Sequence, residues 1–315
     1  MGITRQQALD CFASDDLIGI GMEADAVRRS LHPEGVVSYT IDRSLDCTST
    51  NHLALYDEIR RTVDMGATGV LLHSGTQLHV QIDHFETLFG GIKKRYPEVW
   101  LHGLSATQVL ALASSSQLSL GDTIARLHGA GLDSIGSSAV ILNDQIRRQA
   151  APDKCSTSDW ISVHRTAHQL GLRTTATMVF GVGESVAQRI DHFEILRNLQ
   201  QETGGFTSFT PLAHQAGDVP LDVPEPTSVE YLKTLAISRL YLDNIENLQG
   251  SWATQGLKVL QMGLRFGGND VGSVLLEEHF GKPGGATEEE LRRIIREAGF
   301  KPAQRDTLYR TMFLN

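Results

Sequence analysis

The chain has 315 residues, of which 41% are hydrophobic, and 28 basic against 37 acidic side chains give a net charge of −9. That is enough apolar material for one large α/β domain or two smaller ones. With no basic run longer than Lys93-Lys94-Arg95, nucleic acid is a poor partner. Cys11, Cys47 and Cys155 lie far apart, against a disulfide framework and for a reducing compartment. The polar start of the chain lacks a signal peptide, and no apolar run reaches the roughly 18 residues that span a bilayer, so the expectation is a soluble, cytoplasmic protein.

In chain order, residues 1–35 read as a helical preface, with Ser14-Asp15-Asp16 capping the run that starts at Leu17. A β-branched stretch from Val36 then stops in small polar residues at 46–51 and leads into a helix over 53–65. Ligands bind where such strands end, which places Asp46 to His52 at the mouth of a site. Residues 69–73 form a compact apolar strand ending in Ser74-Gly75, and a helix follows over 80–95. Residues 100–104 repeat the plan, Ser105 and Ser119 look like caps of two short helices, and 132–135 offer a weak fourth strand. A helix over 158–170 stops at Gly171, ahead of the strongest strand, 173–180. Next come a helix over 186–203 closed by Gly204-Gly205, a strand over 206–210, a proline-bearing loop over 211–226 and a helix over 228–242. Strands at 245–249 and 264–266, with helices over 254–262 and 287–298, complete eight strand-helix steps. This alternation points to a single (β/α)8 TIM-type barrel over residues 36–315 rather than an open doubly wound sheet, since no Gly-x-Gly-x-x-Gly turn follows the first strand.

The chemistry on offer then sits at the strand ends: Asp46 and Cys47, His73 and Ser74, His102 and Ser105, Ser137, Thr177 and Glu184, Thr210 and His214, Gln249 and Ser251, Asn269 and Asp270. No strand ends in lysine, which disfavours a Schiff-base aldolase. His73, His102 and His214 could hold a metal with Asp270, as in barrel hydrolases. None of the three belongs to a His-x-His or His-x-x-x-His pair, and solvent-facing or loop-bonded histidines are the plainer reading.

Several stretches carry a resemblance. Residues 31–43 (LHPEGVVSYTIDR), 171–178 (GLRTTATM), 202–207 (ETGGFT), 252–255 (WATQ), 265–270 (RFGGND) and 304–310 (QRDTLYR) are similar to cyclic dehypoxanthine futalosine synthase, the radical SAM cyclase of the futalosine route to menaquinone. The resemblance covers nearly the whole chain and implies a radical-SAM-type barrel with a small-molecule site at its mouth. It also implies a 4Fe-4S cluster and S-adenosylmethionine as cofactors, the cluster held by Cys-x-x-x-Cys-x-x-Cys in the first turn.

The framework resembles that family while the mouth departs from it. Cys47-Thr48-Ser49 runs directly into Thr50-Asn51-His52, without the three-cysteine loop. Ser74-Gly75 stands where the family has Gly-Gly, Gln108 replaces the carboxylate of Ser-x-x-Glu, and Val140 stands where an acid would be. Residues 211–215 (PLAHQ) replace a Trp-Pro-Phe-Gln segment. Two readings stay open: a working cyclase whose cluster loop lies outside this sequence, or a barrel that has left radical chemistry and binds a nucleoside-like small molecule without a cofactor. For the second, Ser74, Gln108, Asp144, Arg147, Thr175, Thr177, Glu184, Asn269 and Asp270 are the candidate ligand-binding residues. Each polar residue among them could equally serve as a cap or loop hydrogen bond, and Asp144 with Arg147 as a surface pair on a helix.

Overall fold

The computed structural model describes residues 2–48, 51–73, 81–137, 139–217, 219–275, 286–310 and 312–313. Helices α1 (Arg5–Ala13) and α2 (Leu17–Leu31) precede the first strand. Thr4 closes the start of α1 in a reciprocal box with Gln7, and Asp16 caps α2 by accepting the Gly19 N–H at 2.8 Å. No helix among the described residues is long and apolar enough to cross a membrane.

Eight parallel strands follow: β1 (Val36–Asp46), β2 (Gly69–His73), β3 (Trp100–Ser105), β4 (Ser134–Gly136), β5 (Thr174–Phe180), β6 (Phe206–Ala213), β7 (Asn247–Leu248) and β8 (Asp270–Leu275). β1 to β4 pair in succession, as do β5 to β7, and β8 returns to β1. Single bridges from Val140 to Val179 and from Gln249 to Asp270 join the two sets, closing the ring. Outside it lie α3 (His52–Asp64), α4 (Ile82–Arg95), α5 (Ala106–Ser115), α6 (Leu120–Gly129), α7 (Asp144–Ala150), α8 (Thr157–Gln169), α9 (Val186–Thr203), α10 (Ser228–Tyr241), α11 (Trp252–Gly263) and α12 (Glu288–Glu297). The protein is a single (β/α)8 barrel behind a helical preface.

The period of two along the strands sorts side chains between two environments. On β1, Val37, Tyr39 and Ile41 are buried outward with Leu291, Ile294 and Ile295 of α12. The intervening Thr40 and Asp42 face the barrel interior.

The eighth strand lies later than the sequence suggests. Leu264 and Phe266 do not form a strand but close α11: the Phe266 and Gly268 N–H groups both donate to the Gly263 carbonyl, and Gly267 turns the chain at φ 95°. Two buried apolar residues flanking an exposed Arg265 have the alternation of a short strand, and the true strand opens with polar Asp270. Asn269 and Asp270 therefore sit at the amino-terminal end of β8, on the barrel floor, and not at the mouth.

The floor is built by the last segment. β9 (Lys301–Arg305) pairs parallel with the amino half of β1, from Val36 opposite Lys301 to Tyr39 opposite Gln304, whereas β2 pairs with the carboxyl half, from Asp42 opposite Gly69. A short β10 (Met312–Phe313) returns antiparallel to β9. Residues 305–310 are thereby carried under the barrel, where Arg305 enters it from below. Its Nε and Nη2 donate to Asp270 Oδ2 and Oδ1 at 2.5 and 3.1 Å, and the two side chains are 5% and 0% exposed. Asp270 also accepts from the Ser38 hydroxyl at 2.5 Å and the Gly272 N–H at 2.8 Å. Removing one member of a buried ion pair strands the other, at a cost of about 3–5 kcal/mol, while replacing both by apolar groups is far milder. Arg305→Leu should lower unfolding free energy in urea by that amount, and Arg305→Leu with Asp270→Leu should recover most of it. A single-variant loss under about 1 kcal/mol would show that the pair does not hold the floor.

Candidate active site in the barrel interior

The barrel encloses a cavity of about 280 Å³. Its wall takes polar side chains from five strands, Thr40 and Asp42 of β1, His102 of β3, Thr175 and Thr177 of β5, Ser208 and Thr210 of β6 and Ser273 of β8, with Gln249 just past β7, set among the apolar Val70 and Leu71 of β2 and Leu212 of β6. Arg305, Thr307 and Tyr309 form the floor. Arg305 lies 4.0 Å from the centre of the Tyr309 ring, a cation–π contact that fixes both.

Asp42 retains accessible surface although it lies deep in the protein, because that surface is cavity wall. Burial raises its carboxyl pKa, and the Arg305 guanidinium partly offsets this. Its Oδ1 accepts from the Thr40 hydroxyl at 3.3 Å, and its N–H donates to Ser273 Oγ at 3.1 Å. Across the lumen, His102 Nδ1 pairs with Ser134 Oγ at 2.5 Å, and the same oxygen takes the Trp100 indole N–H. Burial lowers the His102 imidazole to about 4, so it is neutral near pH 7. The lumen thus presents hydroxyls, an amide, a neutral imidazole and a carboxyl, with its one lining cation already engaged.

Of the residues that the sequence singles out, Thr175 and Thr177 line this cavity. Thr177 is also tied to its neighbours, its N–H donating to Ser137 Oγ and its Oγ1 accepting from Ala139 N–H. Asp270 reaches the lumen only through Arg305. The others hold backbone. Gln108 is the N3 partner of Ser105 in a capping box and accepts the Ser105 N–H at 2.8 Å. Asp144 accepts the Thr157 N–H at 2.7 Å. Arg147 is buried and donates to the carbonyls of Val140 and Cys155, so it does not form a surface pair with Asp144. Glu184, with no exposed side-chain surface, takes the N–H groups of Gly181 and Val182 and the Arg189 guanidinium. Asn269 takes Arg239 and the Leu248 N–H and donates to Asn247. Ser74 falls outside the described residues. Val140 is packed in the core, where its bridge to Val179 helps close the barrel. Sequence reasoning missed Asp42, Thr40, Ser208, Ser273, Arg305 and Tyr309, although the polar residues at every second strand position were a readable signal.

The mouth does not fit an iron–sulfur cluster. Cys47 is buried, its thiol donates to the His73 carbonyl, and burial pushes its pKa up to about 12, the reverse of a ready thiolate ligand. Cys11 lies on α1 and Cys155 between α7 and α8, so neither shares its turn. The three histidines weighed as metal ligands are dispersed as well: His102 bonds Ser134, and His214 Nε2 lies 3.4 Å from the Val223 carbonyl. Among the described residues, no three His, Cys, Asp or Glu side chains gather as a metal would require. One His-x-x-x-His pair does exist, His164 and His168 on α8, but both rings turn to the Thr174 hydroxyl behind the barrel wall.

Fold and lumen together define a (β/α)8 barrel with a partly polar interior cavity. Two solved structures share its fold, methylornithine synthase (PylB) and the FeFe-hydrogenase maturase HydG from Carboxydothermus hydrogenoformans. Each is 14% identical with a TM-score of 0.75; they cover 96% and 98% of this chain, which in turn covers 95% and 78% of theirs. Residues 203–314 match the family described as the CofH/MqnC C-terminal region. The cyclic dehypoxanthine futalosine synthase of Streptomyces coelicolor is 36% identical over 338 residues, 98% of this chain and 85% of that protein. The 5-amino-6-(D-ribitylamino)uracil–L-tyrosine 4-hydroxyphenyl transferase of Methanothermobacter thermautotrophicus is 38% identical over 79% of this chain and 71% of its own length. The aminodeoxyfutalosine synthase of Thermus thermophilus is 36% identical over 80% and 71%. The chain belongs to this family, that of the cyclic dehypoxanthine futalosine synthases. A match spanning 338 residues exceeds the 315 available here, so the relative carries segments that this chain lacks.

The buried imidazoles give the protein an acid limit. Burial lowers His102 and His168 to about 4 and His192 to about 3, and holds His164 well below its ordinary value. Unfolded, each binds a proton near pH 6.5. Their contribution is therefore fully present above about pH 6.5 and is lost as pH falls toward 4, by up to about 1.4 kcal/mol per unit per histidine. Asp42, with its raised carboxyl, acts in the opposite sense and only in part offsets them. Urea unfolding between about pH 7 and pH 5 should show a steep loss of stability, shallower in His168→Gln by about one histidine's share. A flat profile would contradict neutral burial.

Proposed function

We propose that the protein binds a nucleoside-like small molecule in the barrel lumen and does so without radical chemistry. The observation that carries this reading is the contrast between a lumen lined by hydroxyls, an amide and a neutral imidazole among the apolar Val70, Leu71 and Leu212, and a mouth whose one cysteine is a buried thiol. The relatives' names supply the ligand class: dehypoxanthine futalosine, aminodeoxyfutalosine and 5-amino-6-(D-ribitylamino)uracil. Such molecules offer many neutral O–H and N–H groups, which suit a wall of Thr, Ser, Gln and neutral His side chains. A second reading is favoured by one observation, the 36% identity that runs through 98% of the chain: a working cyclase whose cluster loop lies outside this sequence.

Thermal-shift and calorimetric titration with dehypoxanthine futalosine and common ribonucleosides test the binding reading. Ligand at about 100 times its dissociation constant stabilises the fold by about 2.7 kcal/mol, a rise of a few degrees in Tm. Thr175→Val with Thr210→Val should remove most of that rise while leaving the unliganded midpoint within about two degrees, a small change for a barrel of this size. Absence of any shift across the ligand set would overturn the reading.

A further inference from the structure

We infer that Asp42 is the specificity-determining residue of the lumen, and that it reads a vicinal diol on an uncharged arm of the ligand. The inference rests on the nucleoside-like reading above and deepens it. Among the described residues, Asp42 is the only carboxylate that lines the cavity and Arg305 the only cation. Arg305 is committed to Asp270 through two hydrogen bonds and stacked on Tyr309, so it has little to offer an anionic group. A phosphate in this space would meet the Asp42 carboxylate without a cation free to neutralise it. The ligand's arm is therefore neutral.

The hydrogen-bonding inventory narrows the class. The Thr, Ser and Gln side chains of the wall can both donate and accept, and so discriminate weakly. An ionised carboxylate only accepts, at about four lone-pair positions. Of these the Thr40 hydroxyl takes one, at a long 3.3 Å, and the Ser273 hydroxyl another, so about two remain on its cavity side. Two adjacent hydroxyls on a sugar or polyol match the spacing of two carboxylate oxygens and donate to both, as ribose hydroxyls do to acidic side chains in dinucleotide sites. Strand β1 fixes the group for this purpose. Asp42 sits where β1 passes from pairing with β8 to pairing with β2, its N–H is held by Ser273, and Thr40 of the same face aligns its carboxyl.

Binding of matched probes decides it. Dehypoxanthine futalosine, uridine and adenosine are titrated into the full chain by calorimetry or ligand-observed NMR, alongside 2′,3′-dideoxyuridine and 2′,3′-dideoxyadenosine. Loss of two charge-assisted hydrogen bonds should weaken the dideoxy compounds by about two to four orders of magnitude. In Asp42→Asn that preference should collapse to about threefold or less, because the amide offers a single acceptor oxygen. A purely structural role for Asp42 would lower affinity for both members of each pair and leave their ratio unchanged. The wild-type ratio alone keeps the test decisive if the variant does not fold. Equal affinity for ribo- and dideoxynucleosides, or an undiminished ratio in Asp42→Asn, would overturn the inference. Failure of every probe to bind wild-type protein would instead overturn the nucleoside-like reading, and this inference with it.

Discussion

The buried pair between Arg305 and Asp270 is the constraint on which the rest of the structure depends. A guanidinium and a carboxylate, both nearly free of solvent, can be kept in a barrel interior only if each satisfies the other and the remaining lone pairs are taken. Ser38 and the Gly272 N–H take those of Asp270. Meeting this condition fixes three things together: the parallel docking of β9 against the amino half of β1, the passage of residues 305–310 beneath the strands, and the depth at which the lumen ends. Asp42 and Tyr309, both close to Arg305, inherit their environments from it.

The alternation of strands and helices was legible because each element carries its own local chemistry. Ser105, Ser119 and Thr287 cap the helices they precede, Gly171 and Gly204 adopt the left-handed turn at helix ends, and period-two polarity marks β1 and β5. The eighth strand was not legible, since Leu264 and Phe266 bury as fully at the end of α11 as they would in a sheet. That single displacement moved Asn269 and Asp270 from floor to mouth. The site was read less well for a related reason. Attention fell on the ends of strands, while the lumen is lined by their middles, where a polar residue between apolar neighbours looks like a solvent-facing position. Only closure of the ring turns Thr40, Asp42 and Ser208 inward.

The distribution of likeness within the chain has a physical sense. Several of the polar positions singled out in the sequence hold backbone in place: Glu184 over the turn after β5, Asn269 between β7 and β8, Arg147 across the turn before α8. Their loss would cost the fold whatever the barrel does. Other positions constrain the fold less: Gln108 closes the cap of α5 as a glutamate equally would, and Val140 joins a core that tolerates any apolar group of its size.

The most direct measurement of this account is anaerobic reconstitution of the purified chain with iron and sulfide, followed by iron analysis and visible absorption with and without S-adenosylmethionine. The account predicts less than about a tenth of a cluster per chain and no response to S-adenosylmethionine, because one buried thiol cannot replace three thiolates. A stoichiometric cluster whose spectrum changes on adding S-adenosylmethionine would contradict it and restore the chain to the working radical enzymes of its family.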